Sequence, residues 1–378
     1  MKKKRKKPSF ISKTVLVLNI IGVLFLILSY ISPFVSPAKS WLMAFIGLSY
    51  PFILILNFGF ILYWILRLRY HFLISLIAIL LGYNQFGNLF QFNTNVRKLP
   101  ENETLIKVLS YNVRVFDLYN YGPNWEHRFT NRNHIFDFLK ENDFDIIMFQ
   151  EYVHDKTGAF KTQDTLKTFL KAKNYHAEFT RNSRNINFFG LATFTKYPII
   201  NKGKILFSTH GGNLCIYTDV LINTDTVRIY NIHMESIGLG AEDHIFVENM
   251  INIVPADNED FRIASRRILS RMKVAFGRRA LQAEKLAAHI AECPYPIILG
   301  GDFNDTPSSY VYRQFSRLLY DSFTKKGRGV GQTYVGMMPG FRIDYIMHSK
   351  NFETLQFHTG KEEYSDHYPI WAVMKKKD

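Results

Sequence analysis

The sequence predicts an α/β layered sandwich preceded by about three membrane-spanning helices. Three observations lead to this. The first hundred residues carry no Asp or Glu and contain three uncharged apolar runs. After residue 104, short apolar runs bounded by turn residues are interspersed with helical periodicity. Polar residues recur where those runs end, as they do when loops at strand ends build a site.

Charge separates the two parts. The chain of 378 residues has 47 Lys+Arg against 32 Asp+Glu, a net charge of +15. Twelve of the basic residues fall in residues 1–100, so residues 101–378 are nearly neutral at +3. A basic balance of this size would normally point to a nucleic-acid or anionic-membrane partner. At 47% hydrophobic the chain can bury a core, which rules out disorder. Two cysteines, Cys215 and Cys293, exclude a disulfide scaffold and a CxxC metal or redox site. Both are expected to be small buried side chains, with one disulfide possible in an oxidising compartment.

The elements follow in order. Residues 1–13 are a basic tail, Lys2–Lys7 forming a block of six. Residues 14–34, 41–66 and 70–90 are candidate spans. The first could also end a signal peptide, but its length and the runs after it favour a membrane helix. The third carries Asn84, Gln85 and Asn88 and could lie in the interface instead. Basic residues flank the amino terminus and the second loop (Arg67, Arg69), whereas the first loop has only Lys39. The positive-inside rule then puts the amino terminus in the cytoplasm and, with three crossings, the following domain outside it. Residues 91–104 read as a linker and 105–378 as the main domain.

In that domain, strands are expected at 105–113, 146–150, 188–195, 214–222, 227–233, 295–299, 342–348, 353–358 and 368–373. Helices are expected at 128–140, 162–173, 263–291 and 309–318. Residues 235–262 look like an acidic insertion before the long helix. Arg262, Arg266, Arg267, Arg271, Lys273, Arg278 and Arg279 on that helix suit either a solvated face or a contact with lipid phosphates.

Six strand ends carry chemistry: Ser110-Tyr111-Asn112, Gln150-Glu151, Asn231-Ile232-His233, Gly301-Asp302-Phe303-Asn304, Asp344-Tyr345 and Ser365-Asp366-His367. Carboxylates, amides and two histidines suit a hard divalent cation and a phosphoryl group, since Mg²⁺ takes few carboxylates together with substrate oxygens.

This order, with Gly190-Leu191-Ala192-Thr193-Phe194-Thr195-Lys196-Tyr197-Pro198, resembles the endonuclease/exonuclease/phosphatase superfamily over roughly residues 105–376. The resemblance implies a four-layer sandwich, two packed mixed β-sheets flanked by helices. It implies a metal held by Glu151 with Asn112 and Asp366, Mg²⁺ or alternatively Mn²⁺. Asp302 would orient or deprotonate the attacking water, and Asn304 would hold a phosphate oxygen. Asp344 would set the tautomer of His367, which would hold or protonate the phosphoryl group. His233 would be a candidate acid for the leaving oxygen.

Some positions depart from the pattern. Arg114 stands where abasic-site endonucleases have an acid. Tyr152, Val153 and His154 follow Glu151 where those enzymes have a nearby Lys. Asn185 and Asn187 stand where DNase-I-like enzymes supply a Glu to orient the histidine matching His233.

A nearly neutral domain tethered to a membrane favours a lipid-linked phosphate ester over a polynucleotide. The layout also resembles a membrane-anchored bacterial branch of the superfamily linked to glycopeptide resistance, which is thought to act on lipid-linked pyrophosphate. The expected protein is therefore a multi-pass, extracytoplasmic phosphoester hydrolase whose partners are membrane lipids and substrate, with no protein partner. A membrane-tethered nuclease of DNA or RNA is the alternative, and a non-catalytic binding module the third reading.

Overall fold

Residues 10–93, 99–100, 103–123, 126–157, 160, 162–169, 174–207, 212–238, 242–243, 246, 258–335 and 341–377 are described in a computed structural model of the chain. The basic block Lys2–Lys7, much of the linker and most of the acidic insertion lie outside the described residues.

The inner strands are near-continuous apolar runs because both of their faces are covered. One six-stranded sheet contains β2 (Leu105–Asn112), β3 (Ile146–Asp155), β4 (Asn174–Ser183), β5 (Asn187–Thr195), β13 (Phe352–Thr359) and β14 (Ile370–Lys376), in the order β13-β14-β2-β3-β5-β4. The other contains β6 (Ile199–Leu206), β7 (Leu214–Ile222), β8 (Asp225–His233), β9 (Ile297–Asp302), β10 (Tyr320–Asp321) and β12 (Asp344–His348), in the order β10-β12-β9-β8-β7-β6. Each sheet is antiparallel except for one central parallel pair, β2–β3 in the first and β8–β9 in the second. Both sheets are therefore mixed.

Ile106, Val108, Ile146 and Met148 of the first sheet share a core with Val220, Val227, Ile229 and Ile298 of the second. The outer face of the first sheet is covered by α6 (Thr130–Asn142) through Phe136 and Leu139. The outer face of the second is covered by α8 (Asn258–Ala291) and α9 (Tyr310–Ser316) through Ala283, Leu286 and Phe315. Short helices α7 (Gln163–Phe169) and α10 (Ser322–Lys326) and a two-stranded ribbon, β1 (Gln91–Phe92) with β11 (Arg328–Gly329), complete the sandwich. Cys215 and Cys293 are free thiols.

The amino-terminal region differs from three continuous spans. One helix, Phe10–Phe34, is long and apolar enough to cross a bilayer; it consists of α1 (Phe10–Ile31) and a 3₁₀ turn, Ser32–Phe34. The second run breaks into α2 (Trp41–Leu48) and α3 (Tyr50–Leu66), bent by 54°. Pro51 opens α3 without the N–H that a continuous helix would need there. The third breaks at Gly82 into α4 (Phe72–Leu81) and α5 (Tyr83–Leu89), bent by 73°. At this break Gly82 N–H bonds to the Ile79 carbonyl instead of that of Ala78, and the Tyr30 hydroxyl donates to the carbonyl left over. The helices share a buried chain of hydrogen bonds. Trp64 Nε1 donates to Asn19, Asn19 to Ser75 and Ser75 to Asn57. Such bonds hold apolar helices together where no hydrophobic difference drives them. Their outward residues, including Leu24, Ile55 and Leu62, are apolar and exposed.

These helices dock on the sandwich. The Phe45 ring meets Phe276 edge-on at 5.2 Å, the Arg313 guanidinium lies 4.1 Å from the Phe34 ring centre, and Asn88 O accepts from Arg342 Nη2 at 2.8 Å.

Candidate active site

Parallel pairing brings chemistry to one end of each sheet. Asn112 pairs with Gln150, one residue before Glu151, and His233 pairs with Asp302. Two amides under the site tie the sheets together. Gln150 Nε2 donates to Asn231 Oδ1 at 2.7 Å, and Asn231 Nδ2 donates to the Phe149 and Ala192 carbonyls.

Local backbone aims the side chains. The pairing of β3 with β5 slips between Phe149 and Tyr152, and within that irregularity Glu151 has φ +51°. A bulge of this kind re-aims a side chain at some cost in strain. Gly301 has φ +146°, and a Cβ there would sit 2.0 Å from the Ile232 carbonyl, so only glycine lets β8 and β9 approach this closely. Asn304 takes a left-handed turn at φ +53°, which asparagine tolerates.

The expected residues converge. Asp302, fully buried, accepts from Asn304 N at 2.7 Å and from Asn112 Nδ2 at 3.1 Å. Asn112 Nδ2 also lies 3.3 Å from Glu151 Oε1, so one amide bridges two carboxylates. His233 Nε2 stands 3.6 Å from Asp302 and 3.8 Å from Glu151, with no hydrogen-bond partner among the described residues. His367 Nδ1 donates to Asp344 Oδ2 at 2.8 Å, leaving Nε2 3.7 Å from Asp302. Ser365 Oγ donates to the Asn112 carbonyl, fixing the loop that carries Asp366 and His367.

Electrostatics divide the cluster. Burial alone would lower the pKa of His367, but Asp344 and Asp302 outweigh it and push the imidazole up to about 10. Burial and the neighbouring Asp344 raise the pKa of Asp302, while the two histidines pull it down. Ligand atoms of Asp302, Asp344 and His367 lie within 4.8 Å of one another, close enough to share a metal ion. That trio differs from the expected ligands Asn112, Glu151 and Asp366. Its geometry suits a protonated imidazole between two carboxylates, and an imidazolium cannot ligate. Glu151 and Asp366, with side chains 38% and 37% exposed, keep oxygens toward the same pocket. These donors fit a hard cation.

Two expected roles meet competition. Asn112 turns its amide nitrogen to the carboxylates, and its oxygen accepts from Arg114 N at 3.1 Å. Both hydrogens of Asn304 Nδ2 are engaged, by the Met234 carbonyl at 3.0 Å and Asp302 at 3.2 Å. A phosphate oxygen would compete with Asp302 for one of them.

The basic face of the long helix is largely neutralised. Arg267 and Arg271 pair with Asp243, Arg278 with Glu235, and Arg279 with the buried Asp305. Sequence reasoning did not single out Tyr334, whose ring meets His367 edge-on at 5.4 Å, or Leu48, which lines the pocket from α2. Nothing local marks either residue, because each acts through a contact distant in sequence.

A model of the endonuclease/exonuclease/phosphatase family matches residues 109–367. A second model, a domain of unknown function (DUF8431), matches residues 12–89. No curated relative matches the chain. Among solved structures, it is similar to an endonuclease/exonuclease/phosphatase from Beutenbergia cavernae at 14% identity, over 72% of each chain, with a TM-score of 0.50. Danio rerio TDP2 complexed with a single-strand DNA product is 14% identical over 72% of this chain and 100% of that one, at 0.49. A mannosyl-6-phosphatase of Bacteroides thetaiotaomicron is 18% identical over 71% and 99%, at 0.46.

Proposed function

We infer that this chain, which belongs to the endonuclease/exonuclease/phosphatase family of phosphoester hydrolases, is a membrane-anchored member acting on a lipid-linked phosphate from outside the cytoplasm. Members of the family generally work with divalent metal ions. The observation carrying the reading is the convergence of Glu151, His233, Asp302 and His367 at the ends of the two parallel pairs.

Glu151 and Asp366, with Asn112 beside them, would hold the cation, Mg²⁺ or Mn²⁺. When bound, the cation offsets charge developing on the phosphoryl oxygens. Asp302, fixed by the Asn304 and Asn112 donors, orients water and takes its proton; its raised pKa makes it the better base. His367, protonated and steered by Asp344, donates to a phosphoryl oxygen. His233, with Nε2 unpartnered, protonates the leaving oxygen. Asn304 positions Asp302 and would hold a phosphoryl oxygen by giving up one of its two present acceptors.

Anchoring rests on Phe10–Phe34 and on each bent helix pair acting as one span. Three crossings with the basic amino terminus inside put the sandwich outside. The site is then held over lipid headgroups at high effective concentration. Labelling of an engineered surface cysteine by an impermeant reagent in intact cells tests that side. For the chemistry, Glu151→Ala and His367→Ala should each lower metal-dependent hydrolysis by roughly 10²-fold or more. Full activity in either variant would remove the site assignment.

A further inference from the structure

We propose that the active-site pocket holds the hydrocarbon tail of its substrate as well as the phosphate, and that Leu48, from the amino-terminal helices, helps set the tail length accepted. This deepens the lipid-linked reading and rests on it.

The site residues form one end of a cavity of about 360 Å³. The rest of its wall is mostly apolar and includes Ile268, Met272 and Phe276 of α8, Ile343, and Leu48 at the end of α2. The pocket is therefore shared between the sandwich and the apolar amino-terminal region.

Close packing fixes α2 in this place. A Cβ on Gly47 would stand 2.8 Å from the Ser308 carbonyl and 2.2 Å from Ser32 Oγ, so only glycine permits the approach. Phe45 meets Phe276 on the adjoining turn, and Lys273 Nζ lies 5.5 Å from the Trp41 ring centre. On its other side α2 adjoins helices whose outward residues are apolar.

The wall selects its occupant by chemistry. Among the described lining residues the one guanidinium, Arg279, is engaged by Asp305 at 3.3 Å and by the Glu235 carbonyl at 2.9 Å. A polynucleotide would bring further phosphates to a wall whose one described guanidinium is already engaged, and desolvating them there is costly. A hydrocarbon chain gains by burial. The occupant is a phosphate ester of a long apolar chain, reaching the pocket past α2 from the bilayer.

The test uses the full-length protein in detergent with Mg²⁺ and measures the dissociation constants of n-alkylphosphonates from ethyl to octyl, whose C–P bond resists hydrolysis. Affinity should rise by up to roughly fourfold per added methylene and then level off once the wall is filled. Leu48→Trp should move that plateau to shorter chains and Leu48→Ala to longer ones. Leu269→Ala, exposed on α8 away from the pocket, should reproduce the unsubstituted protein. Partitioning into micelles cancels when variants are compared at one chain length and one detergent concentration, and free ligand measured by dialysis corrects the series itself. A flat chain-length series, plateaus unmoved in both Leu48 variants, or tighter binding of a short DNA strand than of octylphosphonate would overturn the proposal. The functional reading fails separately, if the unsubstituted protein hydrolyses no phosphoester at all.

Discussion

His367 Nδ1 donates to Asp344 Oδ2 at 2.8 Å, with both side chains buried and 23 residues apart in sequence. The bond leaves the other imidazole nitrogen facing Asp302 and the pocket. Orientation and charge at His367 thus both depend on Asp344, which does not itself line the cavity.

Asp344→Asn should therefore lower hydrolysis of a soluble phosphodiester by roughly 10²-fold or more, with little change in KM. Steady-state kinetics on bis(p-nitrophenyl) phosphate would show this. A variant that raises KM and leaves kcat intact would instead make Asp344 a structural support for binding.

The docking of the amino-terminal helices depends on a second buried pair. Arg342 Nη1 donates to Asp321 Oδ2 at 2.7 Å, and the same guanidinium donates to the Asn88 carbonyl at the end of α5. Asp321 also accepts from Phe323 N and from the Tyr312 hydroxyl. Asp321→Ala leaves a buried guanidinium without its carboxylate and should cost about 3–5 kcal/mol. Denaturant unfolding followed by tryptophan fluorescence would measure it; a loss below about 1 kcal/mol would mean that water reaches Arg342.

Stability should also fall in mild acid. His348 is buried between Ser349 and Thr354, and burial lowers its pKa below the usual value. The folded state then binds fewer protons than the unfolded one. Its contribution is intact above the ordinary histidine pKa of about 6.5 and is lost as pH falls below it. The difference in Tm between the unsubstituted protein and His348→Gln should shrink from pH 7.5 to pH 5.5. A difference that stays constant with pH would show that His348 does not carry the effect.

The sequence revealed the inner strands and the site residues more readily than the edges and the bends. Val108, Ile146, Ile229 and Ile298 stand out because central strands are apolar on both faces, and Asn112, His233 and Asp302 because they end such runs. The strands β4 and β6 were not expected. Each lies at one edge of its sheet, and polar or charged residues such as Arg181, Asn182, Lys202 and Lys204 break the apolar pattern there. The breaks at Pro51 and Gly82 were hidden inside runs whose hydrophobicity alone suggested continuous spans. Arg267, Arg271, Arg278 and Arg279 of α8 stand unpaired in the sequence, and only the fold brings Asp243, Glu235 and Asp305 beside them.

A metal-dependent phosphoester hydrolase with a lipid-linked substrate should prefer lipid to polynucleotide. The most direct measurement presents full-length protein and Mg²⁺ with polyprenyl pyrophosphate, phospholipid vesicles and supercoiled plasmid in parallel. Phosphate or headgroup should be released from a lipid, though not by His367→Ala, with the plasmid left intact. Rapid plasmid nicking with no release from either lipid would contradict that preference.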